Sequence, residues 1–206
     1  DPATCDPAVL ADLAPRRLLL AYAQGVFPMV EQGQLAWFSP DPRGLLPLDD
    51  RLHLSRRLRQ TLRQGRMVCT VNRRFREVVR ACADRPEGTW ISPEIAVAYE
   101  WLHRLGAAHS VETWPRDRVG AGLPIDGLYG VAIGGGFFAE SMFHRRTDAG
   151  KVALAELAGR LRARGFTLCD VQWTTPHLRR FGAFDVPRDT YVELLTAAIG
   201  SDTCFA

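Results

Sequence analysis

The sequence predicts a mixed α/β (α+β) fold, in which a small N-terminal domain precedes a larger one. Three observations carry this. From about residue 65 onward, short apolar strands alternate with amphipathic helices, the order expected of mixed α/β architecture. Near residues 50–65 the composition shifts, as a proline-rich stretch gives way to an arginine-rich helix. The 206 residues, 47% hydrophobic, are enough for one or two domains with a real core, which excludes wholesale disorder. The boundary is set at residue 58, giving domains 1–58 and 59–206.

Pro7 to Gln24 reads as helical, with a stripe of Leu18, Leu19 and Tyr22 and a stop at Gly25. Val26 to Asp50 carries Pro28, Pro40, Pro42 and Pro47 and reads as irregular. Ser55 caps a short basic helix to Gln64, which Gly65 ends. Met67–Val71 is a strand and Arg73–Ala83 a helix. Ser92 and Pro93 open a helix to Leu105, with Gly106 as its stop. Ala108–Trp114 is a strand, and 115–127 a Gly/Pro/Asp-rich connection. Leu128–Ile133 and Phe137–Phe143 are strands joined by a tight hairpin at Gly134–Gly136. Asp148 caps a helix to Arg164, and Phe166–Trp173 is a strand. Short helices cover Pro176–Arg180 and, opened by Pro187, a segment to about Ile199.

Several classes are set aside. No run approaches the roughly 18 apolar residues of a membrane span, and the first residues lack a basic-then-apolar signal pattern. The five cysteines are odd in number, scattered and without a CxxC pair, so a reducing cytoplasm is the expected compartment. The histidines lack metal-ligand spacing, so no metal is expected. Gly134–Gly136 lacks the Gly-Lys-Ser/Thr of a phosphate loop, and no GxSxG elbow occurs.

Charge is unevenly spread. Arg51 to Arg80 holds ten arginines and one acid, Glu77, a local net of +9 that leaves −6 for the rest. Such a stretch suits a polyanion, nucleic acid being the commonest; the alternative is a solvated helix face. Lys151 is the sole lysine beside 25 arginines. It is either a chance survivor of composition bias or a position that needs a compact ammonium.

Two segments could carry chemistry. In Phe166–Trp173, alternation puts Leu168, Asp170 and Gln172 on one face and Cys169, Val171 and Trp173 on the other. Asp170 and Gln172 either satisfy nearby loop backbone or form a polar platform at a strand end, and Gln is no proton acceptor near pH 7. Glu140, within Phe137–Phe143, is either a partner for an arginine or a receptor for a cationic substrate group.

Ordered strings of residues add a resemblance. Tyr22–Pro28, Trp37–Arg43, Leu52–Arg56, Glu87–Ile91, His109–Glu112, Tyr129–Ala132, Glu140–Phe143 and Asp170–Gln172 together resemble the bacterial leucyl/phenylalanyl-tRNA–protein transferase family, over about residues 16–195. The resemblance implies an acetyltransferase-like (GNAT) domain that uses aminoacyl-tRNA. It implies transfer of Leu, Phe or sometimes Met to proteins beginning with Arg or Lys, marking them for degradation by the N-degron route. Asp170 and Gln172 would then serve the reacting amine and carbonyl, and Glu140 the acceptor. Leu128, Phe137, Met142, Leu154, Leu157, Leu161 and Cys169 would form the apolar pocket for the transferred side chain. Trp37, Phe38 and Trp114 would stack near the terminal adenosine. Arg56, Arg57, Arg59, Arg63, Arg73, Arg74, Arg76 and Lys151 would meet the tRNA backbone. Strict alternation puts Phe137 and Met142 on opposite faces, so one shared pocket needs a bulge or a bend between them.

The resemblance implies no cofactor, since an aminoacyl ester is already activated, and a monomeric protein away from membranes. Two departures stand out: Thr175 where the family commonly has Asn, and Gly150 where Ser is usual, although Lys151 is kept. The alternatives are an aminoacyl-tRNA-dependent peptide-bond former acting on a small-molecule or cell-wall acceptor, a silent tRNA-binding module, and an acetyl-CoA enzyme. The last lacks the Gly-rich pyrophosphate loop at a helix start.

Overall fold

The computed structural model describes residues 5–86, 88–124 and 126–206; Glu87 of the Glu87–Ile91 string lies outside them. The chain runs α1 (Pro7–Asp12), α2 (Pro15–Ala23), β1 (Phe27–Glu31), β2 (Gln34–Phe38), β3 (Arg43–Leu45) and α3 (Arg56–Gln64). It continues through β4 (Met67–Val71), α4 (Phe75–Ala83), α5 (Pro93–Arg104), β5 (Ala108–Pro115), β6 (Asp126–Ile133) and β7 (Gly136–His144). It ends with α6 (Ala149–Ala163), β8 (Leu168–Gln172), α7 (Pro176–Arg179), β9 (Phe184–Val186) and α8 (Arg188–Ile199).

Most of the expected elements are present, and their caps explain where they begin and end. Ser55 accepts the Leu58 N–H and Ser92 the Ile95 N–H, while Gly65 ends α3 in the left-handed region at φ 62°. The single helix expected over residues 7–24 is two. Pro15 has no N–H to extend α1 and instead opens α2 as its first residue. The stretch expected to be irregular holds a hairpin, β1 pairing with β2 around a turn in which Gln32 and Gly33 both have positive φ. Asp148 is no side-chain cap; it lies in the left-handed region and its carboxylate pairs with Lys151 and Arg57.

The main sheet has seven strands in the order β4-β5-β6-β7-β8-β3-β9. All neighbours are antiparallel except β7 and β8, which are parallel and joined by the α6 crossover. β3, placed by the sequence in the N-terminal domain, lies inside this sheet between β8 and β9. A strand from before residue 58 thus completes the larger unit. One face packs against α2, α4, α5 and α8 through Tyr22, Val78, Ile95, Tyr99 and Leu195. The other packs against α6 through Val152, Leu154, Leu157 and Leu161, with Leu58 of α3 beyond.

Asp126, at the start of β6, explains the space left by Gly150. A Cβ on Gly150 would lie 3.0 Å from Asp126 Oδ2. Asp126 is fully buried, and neither carboxyl oxygen has a hydrogen-bond partner among the described residues. Burial pushes its pKa up to about 8, opposed by the nearby Gly127 N–H. Because the folded-state value is raised, the carboxyl stays protonated in the fold where it ionises in the unfolded chain. Stability should therefore fall as pH rises from about 4 to about 8 and then level off. Asp126→Asn should remove that component, which urea titrations at pH 5 and pH 8 would measure. An identical pH dependence in the variant would show that the carboxyl ionises freely.

Candidate active site

The site lies where β7 and β8 part. Their pairing ends at Phe138 and Asp170. Beyond that rung a cavity of about 670 Å³ opens, lined on one side by Glu140, Ser141 and Met142 and on the other by Val171, Gln172 and Trp173. The β1–β2 hairpin, the segment from Gly88 to Trp90, Leu154 of α6 and His177 and Leu178 of α7 complete its walls.

Of the expected bulge or bend, the structure shows a bulge, at Glu140. Ser141 pairs with Tyr129 and Ala139 with Gly130, so Glu140 has no partner across the ladder. The extra residue resets the alternation and returns Met142 to the face occupied by Phe137. It also turns the Glu140 carboxylate toward the cavity. Tyr99 Oη donates to Glu140 Oε2 at 3.0 Å, and Gln172 Nε2 donates to Oε1 at 3.2 Å. Tyr22 and Tyr99 are joined hydroxyl to hydroxyl behind it. Burial pushes the Glu140 pKa up to about 7; the tyrosine hydroxyls and Arg43 oppose this, and the nearby Asp170 charge adds to it. The partner of this carboxylate is thus a tyrosine pair and an amide, not an arginine.

Asp170 is placed differently from the expectation that it meets the reacting groups. Its carboxylate is fully buried and taken up by the protein. Arg43 Nη2 lies 2.7 Å from Oδ2 and Arg43 Nε 2.9 Å from Oδ1, while Tyr191 Oη donates to Oδ2 at 2.6 Å. The Gln172 backbone N–H donates to Oδ1 at 2.8 Å. Arg43 in turn donates to the Gly25 carbonyl and lies against the rings of Phe27 and Tyr191. The Asp170 oxygens are saturated by Arg43, Tyr191 and the backbone of Gln172. The carboxylate holds that last residue in the left-handed region at φ 58°, a conformation that needs outside support in a non-glycine residue. Sequence reasoning missed Arg43, Tyr22, Tyr99 and Tyr191, since a buried tyrosine in an apolar stripe reads as core until its hydroxyl partner is known.

The structure divides the residues expected in the apolar pocket. Leu128, Met142 and Leu154 line the cavity. Phe137, Leu157, Leu161 and Cys169 are buried behind them in the same cluster and support the wall rather than form it. Thr175 lines the cavity and caps α7 by accepting the Leu178 N–H. The aromatic expectation is corrected at Trp114. Trp114 is fully buried with its indole N–H donated to Thr70 Oγ1, so no base can stack on it. Trp37 and Phe38 are half-buried on β2 and packed against the core, and neither lines the cavity. The indoles that do line the cavity are Trp90 and Trp173.

The basic residues divide into two groups. Arg57 and Lys151 pair with Asp148, Arg74 with Glu77 and Arg76 with Glu100, while Arg59 donates to the Leu54 carbonyl. Arg56, Arg63 and Arg73 are exposed and have no ion pair among the described residues. No group of three or more His, Cys, Asp or Glu able to hold a metal occurs among the described residues, and none of their helices is long and apolar enough to cross a membrane.

Comparison with known proteins shows the family of the chain. The family model for leucyl/phenylalanyl-tRNA protein transferase matches residues 45–196, and that for its N-terminal domain matches residues 11–41. A protein of Herpetosiphon aurantiacus named leucyl/phenylalanyl-tRNA–protein transferase is 47% identical over 94% of this chain and 98% of its own length. Similarly named proteins of Akkermansia muciniphila and Cereibacter sphaeroides are 49% and 50% identical, over 91% and 94% of this chain and 96% and 89% of theirs. Among solved structures, L-PGS from Bacillus licheniformis aligns with a TM-score of 0.45 at 10% identity, over 91% of this chain and 71% of that one. On the family models and the identity to these relatives, the chain belongs to the leucyl/phenylalanyl-tRNA–protein transferase family.

Proposed function

We propose that this protein transfers Leu or Phe, and also Met, from aminoacyl-tRNA to the α-amine of proteins beginning with Arg or Lys, creating an N-degron in the cytoplasm. The observation that carries this reading is the juxtaposition in one cavity of an apolar wall (Leu128, Met142, Leu154) and the hydrogen-bonded pair Glu140–Gln172. The wall suits an unbranched or γ-branched side chain, and the carboxylate suits a cationic amine. In the reaction the amine nitrogen bonds to the ester carbonyl carbon, the carbon–oxygen bond to the terminal ribose breaks, and a proton passes from amine to leaving oxygen. Glu140, with its pKa near 7, is matched to an α-amine of about 7.7–8.0 and can take that proton. Gln172 orients the carboxylate through its side-chain amide. Holding ester and amine together supplies much of the remaining acceleration.

The catalytic domain is proposed to be acetyltransferase-like, with the parting of a parallel strand pair as the substrate cleft, and to act as a monomer. Trp90, in the stretch that follows Arg85, is proposed to stack on the terminal adenine. Incubation with Leu-tRNA and a peptide beginning with Arg should add one leucyl residue at the peptide α-amine, read by mass. A peptide left unmodified would sink the reading.

The tRNA itself is proposed to meet the exposed arginines of α3 and the start of α4. Binding should weaken as salt rises, log K falling by about 0.7–0.9 per phosphate contact against log salt. Reversing Arg56, Arg63 and Arg73 together should weaken different tRNAs alike and reduce that slope by roughly two to three. Filter binding over a salt series measures this; unchanged affinity would make the stretch a solvated face.

A further inference from the structure

Trp173, like Glu140, is a cavity residue whose position departs from the strand pattern. Alternation assigns it to the face of Cys169 and Val171. The left-handed backbone of Gln172 breaks that alternation, and the Trp173 N–H folds back to the Val171 carbonyl at 2.6 Å. The ring is thereby swung to the cavity rim, edge-on to Phe27 with centroids 5.4 Å apart at 86°. It remains 46% exposed, in a chain whose other large aromatic rings are half-buried or buried among the described residues. The turn is braced by the next residue, since the Thr174 hydroxyl donates to Asp185 at 2.9 Å. An indole held this firmly and left uncovered beside a cavity is a ready platform for a ligand.

The charges around the cavity say which ligand. Its two indoles have different neighbours. Trp90 belongs to the stretch that begins at Arg85, whose guanidinium donates to Ser141 Oγ and the Met142 carbonyl at the cavity wall. Trp173 directly follows Gln172, whose side chain is bonded to the Glu140 carboxylate. The indole whose stretch of chain carries the guanidinium, both lining the cavity, suits a nucleotide, which brings negative charge. The indole next in the chain to the carboxylate's amide partner, and lining the same cavity as that carboxylate, suits a cation lying over its face. We propose that Trp173 is the platform for the first side chain of the acceptor protein, its aliphatic stem lying on the ring and its guanidinium or ammonium over the ring face. This assigns a specificity-determining residue to the acceptor side of the site and rests on the transferase reading above.

The test is the kinetics of Trp173→Ala and Trp173→Phe with Leu-tRNA and peptides beginning with Arg or Lys. Trp173→Ala should raise the peptide KM about five-fold or more, leaving kcat and the KM for Leu-tRNA close to wild type. Trp173→Phe, which keeps a π face, should recover most of that loss. A rise in the tRNA KM with the peptide KM unchanged would mean the ring reads the adenine and would overturn the proposal. So would two unchanged KM values, or a loss of kcat in both variants. A wild-type protein that modifies no peptide would be a different failure, that of the transferase reading itself.

Discussion

Asp170→Asn will both destabilise the protein and nearly abolish transfer. The substitution leaves the Arg43 guanidinium, which is fully buried, without its counter-charge. Breaking a buried pair from one side costs about 3–5 kcal/mol, far more than the pair's net contribution. It also weakens the acceptor of the Gln172 N–H, so the left-handed turn that aims Gln172 at Glu140 loses its brace. A fall in the urea midpoint and in kcat together is the expected result. The double variant Arg43→Met, Asp170→Leu separates the two effects. It should regain much of the stability, because an apolar pair can replace a buried ion pair. It should not regain activity, because leucine cannot accept the Gln172 N–H. A double variant with full activity would show that Asp170 does not act through Gln172.

Glu140→Gln will lower kcat/KM for an Arg-leading peptide by about 100-fold at neutral pH, the range of a lost general base. The pH profile carries the sharper information. With a pKa raised to about 7, Glu140 is increasingly protonated below that value and then neither attracts the ammonium nor takes its proton. In the wild type, kcat/KM should fall about tenfold per unit of pH below 7. In Glu140→Gln that limb should vanish, leaving a slow rate that still rises through about 8 as the acceptor amine deprotonates. Gln172→Ala should lower kcat while keeping a limb near 7, since an amide has no proton equilibrium there. An unshifted profile in Glu140→Gln would mean the carboxylate only recognises the acceptor.

How much of this was legible depended on how local the information was. Ser55, Gly65, Ser92 and Pro93 mark their helix ends in the sequence because capping and stopping are settled within a turn of chain. The three-residue strands β3 and β9 were not visible. They are too short to show a period and exist only because each pairs across long stretches of chain. At the site, Glu140 and Gln172 stood out as residue types out of place, whereas the leucine wall came only from the family resemblance. Once the resemblance placed Phe137 and Met142 in one pocket, counting required a bulge or a bend, although its position at Glu140 did not follow. The saturation of Asp170 could not be read, since Arg43 is 127 positions away. Trp173 was assigned to the wrong face because alternation assumes extended backbone, and Gln172 is not extended. Trp114 looked like an available aromatic until the structure enclosed it.

The most direct test of the account is a single-turnover reaction of Leu-tRNA with equal amounts of three peptides, resolved by mass. The peptides begin with Arg, with Ala, and with Arg carrying an acetylated α-amine. The cavity described here, with an ionised Glu140 facing a free cationic N-terminus, predicts leucine on the free Arg peptide and little on the other two. Equal leucylation of the Arg and Ala peptides, or modification of the acetylated one, would contradict it.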